Sequence, residues 1–333
     1  MSLIFSDSFV SFINFTGAVQ GYFSFAAIPV NILVIFISVW KVPSSVIRTF
    51  TLSVSVTTLV AVSYSTVYFL FQYSNTNWFA SFQRTVGHIP FIIDNFLSYF
   101  AVYVYYFQST ITMALAYTGY VRLFFFQNVS KRRSIYWPFM GGFGISVLMA
   151  VFQTIEMVQG KYAFSNSVDV ALASLRALVQ IVIFTIITSF YVMAILQAVQ
   201  HALQAKLGNI RQKRWNLFRS VLLYCLVPNV FVLVAILDLA DSICSAALSN
   251  SVSITDHLSN FDVFCVHIYA VTQYMNPPRL FVISISPLMA FEEYREAVLQ
   301  LLKTLFVCIT KNRNAKNVSV RDKVDAEVSV SAE

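Results

Sequence analysis

Residues 269–286 read YAVTQYMNPPRLFVISIS. The run is apolar or small, except that Asn276, Pro277, Pro278 and Arg279 interrupt its middle. Proline breaks a helix in water, because it lacks an N–H and its ring clashes with the preceding turn. Two prolines inside such a run therefore raise the question of what solvent surrounds it. The rest of the chain answers that question.

Of 333 residues, 58% are hydrophobic and 11% charged. A soluble domain carries about 25% charged residues, so the charged share is less than half the usual one. There are 32 phenylalanines against nine glycines. One core cannot hide so much apolar surface from water, and lipid is the expected solvent for most of the chain. A net charge of +7 would suggest nucleic acid in a soluble protein. Here the placement of charge follows membrane topology, and no nucleic-acid partner is expected. Cys225, Cys244, Cys265 and Cys308 are too few and too scattered for a disulfide framework or a zinc site. Cys244 and Cys265 can pair if both face outward, but two free thiols are the expectation. MSLIFSDSFV carries Asp7 and no basic region, so the first apolar span is expected to act as its own insertion signal.

A spanning helix needs about 20 mostly apolar residues. Seven segments qualify: Tyr22–Trp40, Thr49–Phe71, Phe91–Tyr117, Ile135–Val158, Leu172–Leu196, Leu217–Leu239 and Phe261–Ile285. This predicts an all-α membrane protein, a seven-transmembrane helix bundle over 22–285. An extracellular N-terminus (1–21) precedes it. A short amphipathic eighth helix (286–309) and a disordered cytoplasmic tail (310–333) follow. With the N-terminus outside, nineteen of the 22 Lys and Arg residues, Arg279 among them, fall on the cytoplasmic side. Only Arg84, Lys161 and Arg176 are left outside, as the positive-inside rule favours. Asp238, Asp241, Asp256 and Asp262 cluster around the last outer loop, where Asp238 and Asp241 read as solvated. Asn14-Phe15-Thr16 is a candidate glycosylation sequon in the outer N-terminal stretch.

Within lipid, a proline frees the carbonyl of the preceding turn and kinks the helix. Pro228 has Cys225 three residues before it in YCLVPN, and Pro277 has Asn276 directly before it in MNPPRL. Asn31, in PVNILV of the first span, supplies a third polar group. These five residues form the candidate hinge. With seven spans, basic inner loops, C-x-x-P in the sixth span, N-P in the seventh and an amphipathic helix afterwards, roughly residues 20–310 resemble a rhodopsin-like G protein-coupled receptor. The Phe- and Tyr-rich spans and the terminal FEEYREAVLQ, with its Tyr294-Arg295 pair, look like the nematode serpentine chemoreceptors. The chain departs from the wider pattern. Thr118-Gly119-Tyr120 stands where those receptors carry Asp-Arg-Tyr, and Leu280 replaces the tyrosine of the span-seven motif. The cysteine that ties span three to the second outer loop is absent.

The resemblance implies a small-molecule ligand and a heterotrimeric G protein as partners, beside the lipid bilayer and with a receptor dimer left open. Tyr120, Arg122, Arg132 and Arg133, with Arg211, Lys213 and Arg214, are the residues it would place toward the G protein. It further implies a multi-pass plasma-membrane protein with a cytoplasmic C-terminus, in a sensory cilium. The heptad-like run FEEYREAVLQLLKTLF puts Phe291, Tyr294, Val298, Leu301, Leu302 and Leu305 on one face, suited to the inner leaflet. Glu292, Glu293, Arg295 and Lys303 stay toward water, and Cys308 is a palmitoylation candidate.

Ionisable groups are costly in lipid and usually face the bundle interior. Asp94, Glu156, Arg176 and His267, with Tyr99, Tyr103, Gln180 and Tyr269, are expected to line an outward-facing cavity, mostly aromatic with a few polar anchors. Each could instead make an interhelical or headgroup contact, and His267 in particular reads as a satisfied core histidine. Catalysis is not expected. His88, His201, His257 and His267 lack metal spacing, there is no G-x-S-x-G turn, and neither cofactor nor metal is implied. The alternative is a ligand-gated ion channel or a membrane transporter subunit. Such proteins expose polar rings or paired broken helices, and no internal repeat is visible here.

Overall fold

The computed structural model describes residues 7–43, 45–73, 89–121, 136–162, 166–203 and 260–304, together with 219, 237, 239–241, 243, 244 and 307. Among these residues the chain is helical and carries no strand. Six long helices are present: α1 (Asp7–Trp40), α2 (Val46–Tyr73), α3 (Ile89–Val121), α4 (Tyr136–Tyr162), α5 (Asn166–Leu203) and α6 (Asn260–Ala290). A shorter helix, α7, covers 292–304. Among the described residues, three stretches are long and apolar enough to cross a membrane: Gly21–Trp40, Val46–Phe71 and Tyr136–Ile155.

Local chemistry sets several helix ends. The last turn of α1 is closed by the N–H groups of Lys41 and Val42 on the Ile37 carbonyl, and Pro43 then prevents continuation. Ser45 caps α2, its hydroxyl accepting from the Arg48 N–H at 3.2 Å. At the far end of the chain, α6 passes through Pro287 instead of stopping. That proline leaves the Ile283 carbonyl without its usual helical donor, and the Ser286 hydroxyl donates to it at 2.8 Å. The boundary expected at 286 therefore moves to Phe291, between α6 and α7. At the other end, α1 begins at Asp7 and not near Tyr22, since no proline occurs before Pro29 to stop a helix. The Asn14 sequon consequently lies on a helix, not in a loop.

The helices are greasy outside and small or polar inside. On α2, Thr51, Val54, Ser55, Thr58, Ala61, Val62 and Ser65 are buried at helical spacing, while Val56, Val60, Val67 and Leu70 are exposed. This reverses the soluble pattern and matches helix interfaces in lipid, where small residues let backbones approach. Two threonine hydroxyls of α2 bond to their own helix, Thr57 to the Val54 carbonyl at 2.9 Å and Thr66 to the Val62 carbonyl at 2.7 Å, while those of Thr51 and Thr58, also buried, do not. Trp40 and Trp137, 73% and 77% exposed, stand at the end of α1 and the start of α4. Large aromatic residues at helix ends suit a membrane–water boundary.

Among the described residues, neighbours in sequence pack on one another. α1 packs on α2, α2 on α3, α3 on α4, α4 on α5, and α6 returns to α1. α3 also touches α5 and α6, and its residues from Ala101 to Tyr106 are all buried, so it is the central helix. Directions follow from paired contacts. Along α1 and toward α7, Phe23 meets Phe281, Asn31 meets Ser284 and Ser38 meets Tyr294, so α1 and α6 run parallel. Tyr64 of α2 reaches Pro90 at the start of α3, and Gln108 of α3 reaches Phe139 near the start of α4. Adjacent helices α1 to α4 are thus antiparallel, and α5, which follows α4 after residues 163–165 and packs on it, runs with α1. Since α5 and α6 share one direction, the chain between them must return to the Tyr22 end before Asn260.

Candidate functional site

Between α3, α4, α5 and α6, in the half of the bundle nearer the Tyr22 end, lies a cavity of about 20 Å³ open to water centres. Room for one water takes about 10–15 Å³ on the same measure, so it holds one water-sized guest. Its described walls are Tyr99, Val102 and Tyr103 of α3, Gln153 of α4, Arg176 and Gln180 of α5, Thr272 and Arg279 of α6, and Asp241. All nine are buried. Tyr99, Tyr103 and Val102 give the walls an apolar part, and Gln153, Arg176, Gln180, Asp241, Thr272 and Arg279 supply the polar groups. Polar and charged side chains face inward here because lipid outside accepts only the apolar ones.

Arg176 and Asp241 form the strongest contact of the wall. Arg176 Nη2 stands 2.6 Å from Asp241 Oδ2, with the two side chains 5% and 7% exposed. Asp241, expected to be solvated, is therefore buried and paired. The cause lies one helical turn further on: Cys244 is joined to Cys265 of α6, 21 residues away in sequence. The two cysteines are a disulfide, not free thiols. Their bond pins the 241–244 turn against α6 and holds the Asp241 carboxylate over Arg176.

Arg279 is the second correction. It belongs to the bundle interior and not to the cytoplasmic flank. Its Nη2 donates to the Tyr106 hydroxyl, and its guanidinium carbon lies 5.2 Å from the centre of the Tyr106 ring. A guanidinium is weakly hydrated and stacks on aromatic faces, which makes arginine the cation best suited to such a position. On the opposite wall, Tyr103 donates to Gln153 Oε1 at 3.2 Å. That bond uses one lone pair of the amide oxygen, and the Gln153 NH₂ supplies two donors beside it.

Of the eight residues expected at a ligand site, Tyr99, Tyr103, Arg176 and Gln180 line this one cavity. Asp94 does not. It turns toward α2, where Ser65 hydrogen-bonds its carboxyl. His267 Nδ1 sits 2.7 Å from the Val263 carbonyl one turn back, a local contact that satisfies the ring. The side chains of Glu156 and Tyr269 lie outside the described residues. Sequence reasoning missed Val102, Gln153, Asp241, Thr272 and Arg279 as lining residues. For Gln153 and Arg279 the signal was present, since each is a strongly polar residue inside an apolar run.

Among the hinge candidates, Asn31 bridges two helices. Its Nδ2 donates to the Ala27 carbonyl at 2.9 Å and to Ser284 Oγ at 2.7 Å. Pro277 and Asn276 lie on α6, which runs as helix through both prolines, although their side chains are outside the described set. Cys225 and Pro228 lie outside the described residues, as do Arg122, Arg132, Arg133, Arg211, Lys213, Arg214 and Cys308. Tyr120 is in the last turn of α3 with no described side chain. Below the cavity, α7 is sewn to the bundle by Tyr294. Ser38 already donates to the Val34 carbonyl, so the Tyr294 hydroxyl donates to Ser38 Oγ at 2.8 Å. Burial pushes the Tyr294 phenol above its ordinary pKa, which keeps it protonated and a donor at neutral pH. The buried stripe of α7 is Phe291, Tyr294 and Ala297, with Val298 and Leu301 packed at its edge. Leu302, expected on that face, is exposed, because the stripe is narrower than the apolar spacing suggested. Leu305 lies outside the described residues.

No family model matches the chain, and no curated protein is significantly similar to it.

Proposed function

We propose that the chain is a seven-helix receptor, G protein-coupled and chemosensory, that binds a small molecule from the Tyr22 side of the bundle. Leu217–Leu239 is the apolar stretch available for the return crossing between α5 and α6. Two independent observations favour an outward-facing Tyr22 end. Disulfides persist in oxidising compartments, and Cys244–Cys265 belongs to that end. The Lys- and Arg-rich connections belong to the other, as cytoplasmic loops do.

The observation that carries the reading is the buried, charged cavity itself. Ionised side chains inside a greasy bundle are costly and are a mark of function. Here residues of four helices and of the disulfide-held turn converge on one small space, so a guest seated there touches every element at once. A ligand that favours one packing of these elements shifts the balance between two states of the bundle. The basic residues Arg122, Arg132, Arg133, Arg211, Lys213 and Arg214 are the surface assigned to a G protein, in the plasma membrane of a sensory cell.

Two measurements test this. Epitope tags at the two chain ends are expected in opposite compartments, the N-terminal one outside. Cells expressing the full chain are then screened for second-messenger responses against a panel of small organic molecules, with surface delivery monitored. Tags on the same side would remove the receptor topology. Ligand-evoked current that persists with G-protein signalling blocked would replace the receptor with a channel.

A further inference from the structure

We propose that the cavity between α3, α4, α5 and α6 is an anion site, which accepts one negatively charged group of about the size of water. The inference deepens the ligand-binding reading above by naming the charge of what the cavity receives. It does not depend on coupling to a G protein.

The first observation is the donor inventory of the walls. Arg176 and Arg279 each carry five N–H groups and no acceptor. Each also has a partner in the wall or beside it, Arg176 on Asp241 and Arg279 on Tyr106. Gln153 and Gln180 each add an NH₂ and an amide oxygen, and Tyr99, Tyr103 and Thr272 each add a hydroxyl. The acceptor-only group of the wall is one carboxylate, Asp241. N–H and O–H groups therefore outnumber acceptors, which is complementary to an acceptor, and in a low-dielectric interior an ionised acceptor forms the stronger hydrogen bonds.

The second observation is Thr272. Its side chain is buried on the cavity wall, yet its Oγ1 makes no hydrogen bond. An unpartnered buried hydroxyl carries a desolvation cost, and a Thr in a helix can usually relieve it on its own i−4 carbonyl. Thr66 and Thr154 do so, whereas the buried hydroxyls of Thr51, Thr58, Thr112 and Thr272 do not. Of these four Thr272 is the one on the cavity wall, where its O–H can be given to a guest. The third observation is size. About 20 Å³ suits a single water-sized ion or the carboxylate end of a molecule reaching in.

Two sources share this chemistry, a free halide and the carboxylate of a larger cue, and the test separates them. The full chain, purified in detergent micelles, is heated in the sodium salt of a bulky organic sulfonate, which carries no carboxylate, at fixed ionic strength. Chloride or formate then replaces the sulfonate stepwise while the thermal midpoint is recorded. Expected is a saturable rise in midpoint with a small anion. A larger response to chloride assigns the site to a free halide, and a larger response to formate assigns it to a carboxylate group. Thr272→Val removes the orphan hydroxyl at constant shape. It should leave the midpoint in the sulfonate salt unchanged or higher, yet weaken the apparent anion affinity about five-fold, as expected for one lost hydrogen bond. Arg279→Gln should weaken it further, and Arg279→Lys should restore part of the response. A midpoint that ignores anion identity, or an anion response identical in wild type and Thr272→Val, overturns the site. Neither result bears on the topology or second-messenger measurements, so failure here and failure of the receptor reading are distinguishable.

Discussion

The Arg176–Asp241 pair makes an unusual demand on mutants, in which the double change should be milder than either single one. At 2.6 Å and an effective dielectric constant of about 20, the gross attraction is about 6 kcal/mol. Taking each ion out of water costs several kcal/mol, so the pair as a whole contributes little to stability. Removing one partner is different, because the other stays desolvated and uncompensated. Asp241→Leu or Arg176→Met should each cost about 3–5 kcal/mol. Arg176→Met combined with Asp241→Leu removes both charges and keeps the volume, so it should lie closer to wild type than either single variant. Thermal midpoints of the full chain in detergent, read by loss of the monodisperse species, would rank the four proteins. If the double variant falls as far as the two single losses added together, the groups do not interact, and the assignment of Asp241 to Arg176 is wrong.

The disulfide gives a linked expectation. Closing a loop of 21 residues stabilises by about 3 kcal/mol in the chain-entropy model. Cys265→Ser should lower the midpoint, and adding Asp241→Asn should lower it by less than Asp241→Asn does alone, since the carboxylate is then already loose. At α7, Tyr294→Phe should cost about 1 kcal/mol for the lost bond to Ser38. Tyr294→Ala should cost about 3–5 kcal/mol for the void, with faster amide exchange over 292–304 as the readout. Gly21→Ala tests the approach of α1 to α2. A Cβ there would overlap the Phe69 ring, so a loss of about 1–3 kcal/mol is expected, relieved by Phe69→Leu.

How much of this could be read from the chain depended on whether the determining interaction was local. The greasy runs announced α1, α2 and α4, since length and hydropathy are properties of a segment alone. The run beginning YAVTQYMNPPRL likewise marked α6, and its helical course through two prolines is what lipid and neighbouring helices permit. Helix ends were less legible. The helix runs on through Pro287, where the Ser286 hydroxyl takes up the carbonyl that the proline leaves without a donor, a local contact that no hydropathy window weighs. Four of the lining residues stood out as polar groups in apolar surroundings. Asp241 did not, because its burial is imposed by a disulfide whose partner lies on another helix.

Arg279 shows why span boundaries and site residues must be assigned together. Beside Pro278, with α6 presumed to end at Ile285, this arginine counted naturally toward the basic cytoplasmic side. Its neighbour in space is Tyr106, a residue at the middle of the central helix and 173 positions away. Moving Arg279 inward removes one of nineteen cytoplasmic charges, which leaves the orientation argument intact because the loops retain theirs. It adds a second guanidinium to a cavity that otherwise held one arginine paired with one aspartate. The same reassignment that barely touches the topology therefore decides the chemistry of the site, from a closed ion pair to a donor-rich wall fitted to a negatively charged guest.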